Sequence, residues 1–221
     1  TMIQSGGAAE LETLIDPNAP GCGSGAPCIA PIFGPTVAEF YWSATTNPAS
    51  AILQWGAIFR DGTVDDYFRY NAFRVRAVRS ALGKPAPTPI PGPRFVDNGQ
   101  TVVDTQLGLE WEKKTTAVGS GANFADPHDV DNVYTWCLDA NGDFACDNAQ
   151  GVNGPADGPL FTSFIQTLNT PPCFAGHCDW RLPTVIQNGG AAEIETLIDP
   201  NVAGCGSGGP CIAQMFGPTA A

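Results

Sequence analysis

A chain of 221 residues, 43% of them hydrophobic, can bury a core of ordinary size, which argues against disorder. Its formal net charge of −12 with only three lysines disfavours a nucleic-acid partner, because backbone phosphates need a basic face. No apolar run approaches the roughly 20 residues of a membrane span. An acidic surface rich in Gly, Pro and Thr suits a secreted protein and offers oxygens to divalent cations.

In chain order, residues 6–15 read as a short helix with Leu11, Leu14 and Ile15 on one side, stopped by Asp16-Pro17-Asn18. A glycine-rich loop from Cys22 to Cys28 follows. Strands are predicted over residues 40–43 and 51–59, with Arg60-Asp61-Gly62-Thr63 as a hairpin turn carrying the Asp-Gly signal. Residues 67–70 and 73–79 alternate, the second with three arginines interleaved among Phe73, Val75, Ala77 and Val78, which predicts a half-buried antiparallel sheet with one wet face. Proline at 85, 87, 89, 91 and 93 excludes sheet and helix and favours an extended strut of about 34 Å between modules.

Beyond the strut, residues 94–104 read as strand, turn and strand, followed by Leu107-Gly108-Leu109-Glu110-Trp111-Glu112. A polar loop leads to a short apolar stretch over 133–136 and an acidic loop between Cys137 and Cys146. Leu160, Phe161, Phe164, Ile165 and Leu168 recur at helical spacing, with Gly-Pro before and Asn-Thr-Pro-Pro after, predicting one amphipathic helix. Residues 184–221 then repeat residues 1–38 without a gap at 29 of 38 positions, an offset of 183 residues. Self-similarity at a fixed period marks a tandem array. The chain is therefore expected to be a segment of a longer repetitive polypeptide. Residues 1–82 would form the back part of one repeat, 83–93 the linker, and 94–221 the front part of the next.

The eight cysteines fall as four close pairs, Cys22/Cys28, Cys137/Cys146, Cys173/Cys178 and Cys205/Cys211. Because the first pair recurs as the last within one repeated unit, local pairing needs no partner from elsewhere, and four local disulfides are expected. The spacings do not suit paired zinc knuckles, and His128 and His177 are too few and too scattered. Disulfides imply an extracellular or cell-surface location, and loops this short contribute about 2 kcal/mol each.

Several blocks together carry a family likeness. They are Arg94-Phe95-x-Asp97-Asn98-Gly99, Gly108-Leu109-x-Trp111, Asp129-x-Asp131-Asn132-x-Tyr134-Thr135-Trp136, Phe174-x-Gly176-His177-x-Asp179-Trp180-Arg181-Leu182-Pro183-Thr184, Tyr41-Trp42-Ser43-x-Thr45 and Val75-Arg76-Ala77-Val78-Arg79. These resemble the bacterial domain that forms the C-terminus of the Legionella collagen-like adhesin. The resemblance implies an α+β, C-type-lectin-like fold with two short helices packed on antiparallel sheet, distantly related to formylglycine-generating enzymes, and a secreted adhesive or polymer-binding role. The order departs from that family, whose members run Arg-Phe first and Val-Arg last. A whole domain must therefore be completed by another chain, by a further stretch of the same chain, or by a permuted fold in which residues 94–183 close on 1–82. Completion by a neighbouring copy is expected, with Leu160, Phe164 and Trp180 packing on Ile194 and Ile198 and with the residues matching 39–82 supplied by that copy.

Candidate sites are few. Asp139, Asn141, Asp143 and Asp147 offer oxygens at positions 1, 3, 5 and 9, as calcium loops do, although glycine at position 4 and the lack of a glutamate at 12 fit a plain Asn-Gly turn as well. Cys178 beside His177 and Asp179 would suggest a thiol nucleophile were Cys173 not a local partner. Asp179 and Arg181 read as a buried ion pair or backbone-bonded polar groups, and Trp180 as core. Trp42, Trp55, Tyr67 and Tyr70 offer an aromatic sugar platform or, more simply, sheet core. No coherent set of acid, base and nucleophile emerges, so no enzyme is expected. The expected function is a structural and adhesive subunit of an extracellular fibre or surface array, with neighbouring copies as partners. The alternative is a lectin-like polysaccharide adhesin acting through avidity.

Overall fold

The computed structural model describes residues 10–81, 93–105, 107–147 and 155–185. The architecture is mixed, with several antiparallel sheets and little helix. Strands β1 (Phe40–Thr46), β2 (Leu53–Ile58) and β3 (Thr63–Phe68) form a three-stranded meander. The Asp61-Gly62 turn closes its second hairpin by pairing Ile58 with Thr63; Gly62 lies at φ 79°, where a side chain would be strained. A two-stranded ribbon joins β4 (Ala72–Phe73) to β9 (Tyr134–Thr135), and a four-stranded sheet runs β5 (Val78–Ser80), β8 (Leu109–Glu112), β7 (Thr101–Asp104), β6 (Phe95–Asp97). Asn98-Gly99 makes the β6–β7 turn as its sequence demands, with the Gly99 N–H donating to the Asp97 carboxylate.

Two of these sheets are built from both parts of the chain. Strand β5 pairs with β8 so that Val78 faces Trp111, and β4 pairs with β9 so that Phe73 faces Tyr134. Two cores result. One gathers Leu11, Leu14, Phe33, Val78, Trp111 and Val185, with Phe95 packed against it. The other gathers Phe40, Trp42, Val75, Leu160, Phe164 and Trp180, with Phe73 packed against it. The expectation that a neighbouring copy supplies the residues matching 39–82 is thus overturned: residues 39–81 of this same chain close on residues 94–185. The reason is physical, since the apolar face of the Leu160–Leu168 helix and the bare face of the back sheet cover one another. Ile194 and Ile198, the expected partners of Leu160, Phe164 and Trp180, lie outside the described residues.

The segment expected as one strand over 73–79 is split. It passes between the two cores, so Val75, Arg76, Ala77 and Val78 are all buried, and no wet face remains for Arg76. Its guanidinium instead donates to the carbonyls of Phe33 (3.0 Å) and Glu112 (2.8 Å) and to Thr36 Oγ1 (2.9 Å). The expected helix over 6–15 is one 3-10 turn, Leu11–Leu14, with residues 6–9 outside the described range. The second helix forms where expected. It is π-helical over Leu160–Ile165 and α-helical over Gln166–Asn169, with Leu160, Phe164 and Leu168 buried. Gly158 presses its start against β9, where a Cβ would sit 2.5 Å from the Thr135 carbonyl oxygen. Disulfides join Cys22 to Cys28, Cys137 to Cys146 and Cys173 to Cys178. Cys205 and Cys211 fall outside the described residues, as do residues 83–92 of the proline-rich strut.

Candidate functional site

Three features could meet a ligand. The first is the loop closed by Cys137–Cys146. Its carboxylates Asp139, Asp143 and Asp147 converge, with one oxygen of each lying within 4.8 Å of the others. The Asn141 side-chain oxygen accepts the Asp143 N–H at 3.0 Å. The loop also uses its own acids to hold its shape. Asp139 accepts N–H groups from Gly142 (2.8 Å), Asp143 (3.2 Å) and Phe144 (3.2 Å), and Asp147 accepts from Ala140 (2.7 Å). Three carboxylates fall short of the six to eight oxygens calcium takes. Chelation of divalent cations is therefore expected to leave the melting temperature unchanged to within about 1 °C, whereas Asp139→Ala, which strips the Gly142 and Phe144 N–H groups of their acceptor, costs about 1–2 kcal/mol. A fall of several degrees in chelator would show that the loop holds calcium.

The second is a cleft of about 560 Å³ between the β6–β7 turn, the loop at Pro127-His128 and the end of the helix with the Pro172–Gly176 turn behind it. Its lip includes Ala175 at φ 49°, a left-handed conformation costly for a residue with a Cβ. The His128 ring lies on Phe174, with centroids 4.0 Å apart, and its Nδ1 is 2.9 Å from Glu112 Oε1. Below it the charges are buried. Lys114 Nζ donates to the same Glu112 oxygen at 2.8 Å, and the Ala77 N–H donates to the other at 3.0 Å. Burial alone would raise the Glu112 pKa, but the Lys114 ammonium and the His128 hydrogen bond outweigh it and hold the carboxyl at about 2. Burial pushes Lys114 down from the usual amine range, with the Glu112 carboxylate drawing it back. The ionised carboxylate is occupied by three donors, so it is a positioning group for strand β8 rather than a base poised for chemistry.

The third is an aromatic ledge. Phe68 stacks on Tyr70 with centroids 5.1 Å apart, and Phe144, 73% exposed, meets Tyr70 edge-on at 6.1 Å. Of the aromatic residues singled out from the sequence, only Tyr70 belongs to it. Trp42 is fully buried, and Tyr67 packs on Phe40 and Phe73. Phe144 was legible only as the residue after Asn-Gly-Asp in a disulfide loop, where an apolar side chain has no core to enter.

The remaining candidates resolve into structure. Cys178 is disulfide-bonded and is no nucleophile. Asp179 and Arg181 do not pair with each other, which corrects the sequence reading. Asp179 is half exposed and bonds Arg79 at 2.7 Å, and that hydrogen bond holds its carboxyl below the usual range; Arg181 reaches the Glu10 carboxylate instead. Each is met instead by an opposite charge brought in from a distant segment, strand β5 for Asp179 and the residue before the Leu11–Leu14 turn for Arg181. Trp180 is core, as expected. No helix among the described residues is long and apolar enough to cross a membrane. In comparison with family models, curated proteins and solved structures, the chain matched none.

Proposed function

We propose that this chain is a structural and adhesive unit of an extracellular or surface-bound array built from repeated lectin-like modules. The observation that carries the reading is the repeat itself. An array needs the same contacts presented at a fixed interval, and the chain offers 29 identities in 38 positions at an offset of 183 residues. Three disulfides among the described residues favour an oxidising compartment. The likeness to the C-terminal domain of the collagen-like adhesin supports a C-type-lectin-like fold and an adhesive role. The six described cysteines are all disulfide-bonded, and no enzymatic step is proposed.

A second reading, a polysaccharide-binding adhesin, draws on the Phe68, Tyr70 and Phe144 ledge beside the acids of the Cys137–Cys146 loop. Aromatic faces stack on sugar rings and carboxylates accept sugar hydroxyls. Electron microscopy of purified material separates the two. Filaments or regular particles with a constant repeat support the array, and dispersed single molecules overturn it. Retention on a glycan array, competed by free sugar and lost in Phe144→Ala, would establish the second reading.

A further inference from the structure

Residues 10–38 lie across the seam between the two halves of the chain, and their contacts there can be matched one by one with the second copy of the repeat. The Glu10 carboxylate receives Arg181 Nη1 at 2.6 Å and the Thr184 N–H at 3.1 Å, and the Leu11 N–H donates to the Thr184 carbonyl at 2.9 Å. Arg94 donates to the Thr13 carbonyl at 3.1 Å, and Arg76 to the Phe33 carbonyl and the Thr36 hydroxyl. Leu11, Leu14, Ile29 and Phe33 fill the apolar floor. At the offset of 183, Glu193, Thr196, Phe216 and Thr219 stand at the polar points, and Ile194, Leu197, Ile212 and Phe216 at the apolar ones.

Seven differences separate residues 10–38 from 193–221, and only two fall on buried positions, Leu11 to Ile194 and Ala19 to Val202. The first conserves volume, which a core tolerates best. Connectivity also favours the second copy. The Thr184–Glu10 contact spans 174 residues of chain, whereas Glu193 is nine residues beyond Thr184. The shorter loop loses less conformational entropy on closing.

We propose that the seam groove holding residues 10–38 is equally a docking site for residues 193–221, and that the two copies exchange in it. The displaced copy becomes an arm complementary to the same groove on a second copy of this chain. That consequence for assembly rests on the array reading above, but the exchange itself is measured in the isolated chain whether or not filaments form.

The test uses the full chain with Leu11→Asp, Ile194→Asp and both together. A carboxylate at a fully buried leucine position forbids docking of the copy that carries it. The expected result is redundancy. The double variant melts about 10 °C or more below the wild type, each single variant loses less than half of that, and amide hydrogen-exchange protection in Leu11→Asp moves from residues 10–15 to residues 193–198. Either single variant melting as low as the double would show one sole occupant and overturn the exchange. A double variant no worse than the singles would show that the groove needs neither copy and would overturn it too.

Discussion

Replacement of Trp42 by alanine is expected to lower stability by about 4–6 kcal/mol, combining about 3–5 for an emptied tryptophan site with about 1 for the hydrogen bond lost. Trp42 is fully buried in the core formed by both parts of the chain. Its indole N–H donates to the Tyr134 carbonyl at 2.9 Å, and its ring meets Phe40, Phe73 and Trp136 edge-on at 5.2, 5.2 and 6.1 Å. Removing it orphans a buried carbonyl and opens a void where β1 of residues 39–81 meets β9 of residues 94–185. At about 2–4 °C per kcal/mol for a chain of this size, the melting temperature should fall by about 8 °C or more. Trp42→Phe, which keeps much of the volume but not the donor, should fall by roughly half as much. Thermal melting of the two variants decides the matter. An alanine variant that melts with the wild type would mean that the seam is not closed within the chain in solution.

Acid should act on the buried charges under the cleft. The Glu112 carboxyl, at about 2 in the folded chain against an ordinary 4.5, has a depressed folded pKa. Its contribution is therefore fully present above the unfolded value and is lost as pH falls through the folded one. The window lies between about pH 5 and pH 2, and the amount lost is about 3 kcal/mol. Lys114→Met removes the nearest cation that holds Glu112 ionised and leaves the carboxylate with the His128 ring and the Ala77 N–H as its hydrogen-bond partners. Breaking a buried pair from one side typically costs about 3–5 kcal/mol at neutral pH. The Glu112 pKa then rises, so the acid limb of the stability profile should move to higher pH and flatten. Urea midpoints measured from pH 7 to pH 2 for both proteins test this. Superimposable profiles would show that the Lys114–Glu112 pair contributes nothing to folding.

What the sequence determined by itself was local. The Asp61-Gly62 and Asn98-Gly99 turns set the registers of their hairpins, because a tight turn leaves few ways for its flanking residues to pair. The three described disulfides were legible because cysteines five to nine residues apart need only a loop to close, and one of these pairs recurs at the repeat offset. The helix over Leu160–Leu168 was legible because its apolar spacing and its flanking prolines agree. Among the cation-binding candidates, the three aspartates converge, and the Asn141 side-chain oxygen accepts the Asp143 N–H.

The tertiary structure alone decided the rest. Arg76 looked like the wet side of an alternating strand, and an alternating pattern cannot report that a second layer covers that side as well. Only the approach of Phe33 and Thr36 from one distant segment and Glu112 from another supplies the acceptors that let a guanidinium be buried there. Asp179 and Arg181 had each other as nearest opposite charge in sequence, yet their partners, Arg79 and Glu10, lie 100 and 171 residues away. Closure of residues 39–81 on 94–185 is of the same kind. Each half shows an apolar face in its pattern, and which other face covers it depends on burial summed over the whole molecule, a non-local quantity that no window of sequence contains.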